Sequence, residues 1–400
     1  MSGNGPDGVG TLPAGAVDVP GAPRSCRGRL VERARLEWRL TDGGDPAALA
    51  QEFLAAHGLV LDDLGRPAAH DPDGVCGAAL YVSAAAGAHA AGGPTGPPTP
   101  VPALPDLVVV VHAHAGGSVA RPAGDRPTAG GWWLGDWRDS WTAREHADAV
   151  EAVRAAIGRG DVYQVNLVGH ADAPYTGDPL PALARLAALP GARYGGTLAG
   201  LGWAVGCASP ETLIALEGGR LVTRPIKGTR PATDVGRREL LASSKERAEH
   251  VMIVDLERND LARVARTGSV RVDELFAVRR WCDLWQAEST VSAAPADGLG
   301  LAALLRAVCP GGSVTGAPKL AALAEIAALE PVGRGAGMGA LGWVAPGRID
   351  LGLTIRTAAA DAQRLHLWAG GGITWGSDPG AEVAEAAAKA APIRALLAAG

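Results

Sequence analysis

The chain has only five cysteines, Cys26, Cys76, Cys207, Cys282 and Cys309, and no two of them form a C-x-x-C pair. That excludes a disulfide-stapled scaffold and a zinc ribbon, and it fits thiols kept reduced. No run of about 18 apolar residues is present, so no transmembrane helix is expected. The opening residues lack a basic start followed by an apolar stretch, so no secretory leader is expected. Positive charge is not in excess. Lys and Arg number 37 against 42 Asp and Glu, a net charge of −5, which leaves no basic face for nucleic acid. The expectation is a cytoplasmic protein with neither nucleic acid nor a membrane as partner. Phe and Tyr are scarce beside abundant Ala and Gly, a bias that reads as a GC-rich coding sequence. Apolar residues make up 47% of the chain, enough for a sizeable core.

Residues 1–25 are poor in apolar side chains and read as a disordered tail. Residues 26–130 form an N-terminal region that adds strands to the main body. Within it Asp45 caps a helix over 46–56 with Pro46 in its first turn. Residues 107–112 are a β-branched strand, and the Ala/Gly/Pro/Thr stretch 84–105 reads as a low-complexity loop. From 131 to 400 the helix and strand signals are dense. Trp132, Trp133, Trp137 and Trp141 suit core packing or a domain seam better than a ligand cage. Thr142 and Glu145 make a capping box for a helix expected to stop at Gly158, and 162–167 alternates as a strand.

Lys227 is the most informative residue. It lies between Pro225-Ile226 and Gly228-Thr229, where proline fixes the backbone and glycine admits a close neighbour. A lysine desolvated in such a box loses its proton more readily and becomes a nucleophile. Glu211, sixteen positions upstream in Ala208-Ser209-Pro210-Glu211, could supply the acid for a displacement. Glu246 and Glu249 share one helix face by their i,i+3 spacing, and Glu382 and Glu385 repeat it near the C-terminus. Two such faces could hold a hard divalent cation such as Mg²⁺; on spacing alone, two solvated helix faces is the simpler reading. Pro310 to Lys319 is a Gly-rich loop before an apolar helix over 320–329. It suits an anion or a tight turn and lacks the P-loop spacing. Gly370, Gly371 and Gly372 follow an apolar run, and Arg356 sits on a strand-like one. The chemistry suggested is a small, multiply anionic substrate.

These stretches, in this order, resemble the chorismate-utilising enzymes. The match runs through Gly160–Leu167, Ala208–Glu211, Pro225–Pro231, Glu249–Asp260, Gly312–Lys319, Asp350–Thr357 and Ala369–Ile373, and covers about 140–398. The resemblance implies an α+β fold of antiparallel sheets packed as a sandwich with helices outside. It implies that Glu246, Glu249, Glu382 and Glu385 bind Mg²⁺, which reverses the reading from spacing. It also implies that Arg356, Thr315 and the amides of Gly370–Gly372 hold carboxylates, with Gln164, Thr229 and Gln286 also at the substrate. Glu211 matches the general acid. Lys227 matches the covalent lysine of the aminodeoxychorismate synthase branch, where anthranilate synthases usually carry alanine. Gln164 stands where water-using members place a basic lysine, and a neutral amide cannot be that base.

Three expectations follow from that branch: amination of chorismate at C4, ammonia from a separate glutamine amidotransferase subunit, and a downstream aminodeoxychorismate lyase. Anthranilate synthesis is the alternative. Two departures, Gln286 at a usual histidine and Met338 at a usual tyrosine, suggest a third reading, a non-catalytic chorismate-binding paralogue.

Overall fold

A computed structural model describes residues 21–22, 30–66, 74–114, 131–281 and 284–399. Nearly all of the expected tail, and Cys26 and Cys282, lie outside the described residues. Two antiparallel sheets carry the fold. The larger, ten-stranded among the described residues, runs in the order Leu30–Trp38, Leu107–His114, Val75–Val82, Ala340–Ala345, Arg348–Leu353, Thr212–Glu217, Arg220–Arg224, Leu284–Ala293, Ile226–Pro231, with Arg271–Trp281 also paired to Leu284–Ala293. The smaller is built on Gln164–Thr176, which pairs with Arg364–Ile373; Thr357–Ala360, Trp203–Ser209 and Tyr194–Gly200 follow in order.

Val75–Val82, Leu107–His114, Trp203–Ser209 and Ala340–Ala345 are buried along nearly their whole length, because both faces of each sheet are covered. One large core joins the sheets: Tyr81, Val109, Trp343 and Leu351 from the larger pack in a single cluster with Val168, Trp203, Val205 and Trp368 from the smaller. Helices cover the outer face of the smaller sheet. Leu180–Ala187 and Pro379–Ala398 bury Leu183, Leu186, Ile393 and Leu397 against Leu365 and Leu367. Ala143–Arg159 and Lys319–Leu329 cover Val165, Leu167 and Ile373. The N-terminal strands belong to the larger sheet, because Val75–Val82 pairs residue by residue with Ala340–Ala345.

Local signals were legible to differing degrees. Asp45 caps Pro46–Ala56 through its carboxylate, and Thr142 with Glu145 closes the capping box of Ala143–Arg159. That helix passes Gly158 and ends at Gly160, which takes the left-handed conformation at φ 83°. A helical glycine costs only about 1 kcal/mol, so Gly158 does not break the helix. The expected loop 84–105 is partly helix. Ser83 caps Ala84–Ala90, and four of its seven residues are buried, so tertiary packing orders a stretch whose composition reads as linker. Trp132 donates from Nε1 to the Leu397 carbonyl at 3.0 Å and Trp137 lies under the Arg394 guanidinium, so both pin the C-terminal helix.

Candidate active site

Lys227 lies on Ile226–Pro231 opposite Ala287, and the ladder slips by one residue between Lys227 and Thr229. Gly228 absorbs the slip at φ 79°, a conformation cheap only without a Cβ. A Cβ there would fall 2.8 Å from Leu240 Cδ1 and 2.9 Å from Glu246 Oε2. The bulge therefore also lets the carboxylate of the Ser244–Ala262 helix close on the strand. Across the gap, Gly372 belongs to the smaller sheet. A Cβ on it would lie 3.0 Å from Lys227 Nζ and 2.9 Å from Gln164 Nε2. An amine, an amide and bare backbone thus meet between the sheets. Gln164 is 1% exposed, and its Nε2 has no hydrogen-bond partner among the described residues.

Burial pushes the Lys227 ammonium down from its ordinary range, and the charge of Lys389 adds to that; Glu211, Glu249 and Glu385 pull the other way. Glu211 is buried beside it. Burial pushes its carboxyl up to about 7, against the hydrogen bond from Ser313 Oγ at 2.7 Å and the charge of Lys227. A weakened ammonium facing a carboxyl that keeps its proton near neutrality is the pairing a displacement with a protonated leaving group needs. His250 is held neutral, burial lowering it to about 4, and its Nε2 lies 2.6 Å from Ser289 Oγ.

The four carboxylates approach this point from two helices. Glu382 Oε2 and Glu385 Oε1 lie 3.2 and 3.7 Å from the Cβ position of Gly371. Each acid with a described contact has its own partner: Arg230 at 3.1 Å for Glu246, Ser377 at 2.7 Å for Glu382, Lys389 at 2.8 Å for Glu385. Among the described residues no three metal-ligating side chains close on one point. The donors are all carboxylate oxygens, the chemistry a hard divalent cation takes.

A sequence profile described as chorismate binding enzyme matches residues 110–395. The chain belongs to that family. It is 42% identical over 256 residues to aminodeoxychorismate synthase component 1 of Salmonella typhimurium, covering 62% of this chain and 56% of that protein. It is 40% identical over 257 residues to anthranilate synthase component 1 of Streptomyces coelicolor, covering 62% and 50%. The chain thus spans about half the length of these curated relatives. The solved structure of anthranilate synthase component I from Streptococcus pneumoniae superposes with a TM-score of 0.72 at 24% identity, covering 93% of both chains. The fold is therefore that of the chorismate-utilising enzymes.

Within this family fold the other expected residues are placed as follows. Gly370, Gly371 and Gly372 pair with Val168, Leu167 and Asn166; the Gly370 carbonyl turns to Lys389 Nζ at 2.8 Å. Thr315 is fully buried and donates to the Gly311 carbonyl at 2.9 Å, so its hydroxyl ties its own turn. Arg356 is not on a strand. It bends the chain between Arg348–Leu353 and Thr357–Ala360 at φ 51°, a corner that its strand-like neighbours conceal. Gln286 is buried opposite Thr229, and Met338 is buried in the core at φ 62°.

Sequence reasoning missed Lys389, whose only signal was its i,i+4 spacing from Glu385, common on any solvated helix. It also missed the buried pair Arg334–Glu330. Arg334 donates to the Val314 and Asn166 carbonyls at 2.5 and 2.6 Å, and Glu330 accepts from the Val168 N–H at 3.0 Å. That pair clamps the Gly-rich turn to the strand carrying Gln164.

Proposed function

We propose that this chain aminates chorismate at C4, as an aminodeoxychorismate synthase large subunit. The observation that carries the reading is the meeting of Lys227 Nζ and Gln164 Nε2 at Gly372, beside the buried Glu211. Neutral Lys227 attacks C2, the ring double bonds shift, and the C4–O bond breaks. Glu211 donates the proton with which the hydroxyl leaves as water. Ammonia then bonds to C4, the double bonds shift back, and the C2–Nζ electron pair returns to Lys227. The proton released by the new amine returns to Glu211. Gln164, a neutral amide, orients the nucleophile without taking a proton from it. Glu246, Glu249, Glu382 and Glu385 would hold Mg²⁺, which supplies charge neutralisation for a substrate carboxylate. Arg356 and the Gly370–Gly372 backbone take the remaining carboxylate contacts, with Thr229 and Gln286 at the ring.

The relatives' designation as component 1 supports a second component, and we infer a glutamine amidotransferase that supplies ammonia. A lyase acting on the product would yield 4-aminobenzoate. Anthranilate synthesis is the second reading, favoured by the near-equal identity to a relative of that name; Lys227 opposes it. The test incubates the protein with chorismate, Mg²⁺ and ammonium, with and without an aminodeoxychorismate lyase. The expected result is 4-aminobenzoate only with the lyase, together with a mass adduct on Lys227 in enzyme quenched during turnover. Fluorescent anthranilate formed without the lyase sinks the reading. Lys227→Ala is expected to slow amination at least about a hundredfold, the lower end of what a positioned acid–base group contributes, while Mg²⁺-dependent chorismate binding persists.

A further inference from the structure

The outer edge of the strand Gln164–Thr176 is covered piecemeal. Gly316 and Ala317 pair with Val165 and Gln164, and Arg138 and Asp139 pair with Asp172 and Ala171. Among the described residues no strand lies beside the stretch between these two pairings on that edge. Buried backbone groups left open there would carry a desolvation cost. The Arg334–Glu330 pair stands in the gap. Arg334 donates to the Asn166 carbonyl at 2.6 Å, and Glu330 accepts from the Val168 N–H at 3.0 Å. In an extended chain the carbonyl of one residue and the N–H two residues on point to the same side, so the pair meets this edge as a neighbouring strand would. Both residues are buried, at 7% and 4% exposure.

What the pair joins lies at the site. Asn166 is opposite Gly372, where Lys227 and Gln164 meet. Arg334 also donates to the Val314 carbonyl at 2.5 Å. Val314 sits between Ser313, whose hydroxyl donates to Glu211 at 2.7 Å, and Thr315, whose carbonyl accepts from the Asn166 N–H at 2.7 Å. One guanidinium therefore spans the turn that holds the acid and the strand that faces the amine. Its planar fork makes both bonds while it also donates to Glu330 at 2.6 and 2.9 Å. A lysine ammonium has the charge but not that fork.

We propose that Arg334 is a positioning residue: braced by Glu330, it fixes the turn that holds Glu211 against the strand that carries Gln164, and so sets where the acid stands relative to the nucleophile. The proposal rests on the reading of Lys227 as nucleophile and Glu211 as general acid. Arg334 bonds to backbone carbonyls and to Glu330, not to a reacting group. What it changes is geometry, and it exchanges no proton in the reaction.

Arg334→Lys keeps the charge facing Glu330 and gives up the fork. Single turnovers with chorismate and Mg²⁺, quenched and read by mass spectrometry, give the rate constant for the Lys227 adduct. That rate constant is expected to fall at least about tenfold, within the hundredfold that a displacement of about 1 Å can cost. The fraction of protein that reacts should stay near wild type. This split separates position from folding, because loss of folded protein lowers the fraction and not the rate constant of what remains. A rate constant within about twofold of wild type overturns the proposal, whatever the fraction. A second measurement needs no variant to fold. In amide hydrogen exchange of the wild-type protein, the Val168 N–H should be as protected as the amides of Thr357–Ala360, a strand paired on both sides. Exchange of Val168 at the rate of an open sheet edge overturns the proposal. If wild-type protein forms neither adduct nor aminated product, the reading of the reaction fails, and the exchange of Val168 still decides whether the pair braces the strand.

Discussion

Gly372 is the residue at which the chemistry of the two sheets converges, and its hydrogen side chain is what leaves room there. A methyl on it would approach Gln164 Nε2 to 2.9 Å and Lys227 Nζ to 3.0 Å. Both are ends of flexible side chains, so they can give way at little cost to the fold. Gly372→Ala is therefore expected to unfold at a midpoint close to wild type in urea while losing most of the amination proposed above. A variant with wild-type activity would show that substrate does not reach this edge. Lys227 was readable in the sequence because proline and glycine surround it, and Gln164 only through the family resemblance. Lys389 was not, since a lysine four residues after a glutamate marks many solvated helices.

At the scale of elements, the strand Ile226–Pro231 does two jobs through one bulge. Gly228 at φ 79° turns the register so that Lys227 faces the other sheet while Glu246 packs beside the strand. An L side chain in that conformation costs about 1–2 kcal/mol, and a Cβ there also meets Leu240 and Glu246. Gly228→Ala is expected to lower unfolding free energy by at least that amount, read by urea titration. Activity should fall further than stability, because Lys227 and Glu246 shift together. The motif Pro225–Pro231 announced an unusual backbone, but not the slip. A bulge is defined against the partner strand, Leu284–Ala293, which lies more than fifty residues away in sequence.

For the whole molecule, the buried acids and histidines set the dependence of stability on pH. Glu211 and Glu257 are raised from 4.5 to about 7 and about 8, so their contribution is present at low pH and is lost as pH rises through those values. His170 and His250 are lowered from 6.5 to about 4, so theirs is present above 6.5 and is lost as pH falls toward 4. The two effects oppose each other between 4.5 and 6.5. Lys227, lowered from 10.5, acts against the acids only above its own shifted value. From about pH 6.5 to 8 the acids are expected to dominate, and the midpoint of thermal unfolding should fall. Scans at constant ionic strength check this, with a shallower slope expected in Glu257→Gln. A midpoint that is flat or rising over that range would contradict the raised proton affinities of Glu211 and Glu257.

The sequence alone carried the family, the order of its motifs, the helix caps at Asp45 and Thr142, and Lys227 as a lysine in an unusual box. These are local facts, fixed by backbone preferences and spacings within a few residues. Only the tertiary structure decided that Lys227 and Gln164 meet at Gly372, that Arg356 sits at a left-handed corner, and that 84–90 is helical. It alone buried Glu211 and Glu257. Those outcomes depend on which strands pair and which carboxyls are buried together. Pairing joins segments more than a hundred residues apart, and a carboxyl's proton affinity follows from the water and charge around it, neither of which is written in its immediate neighbours.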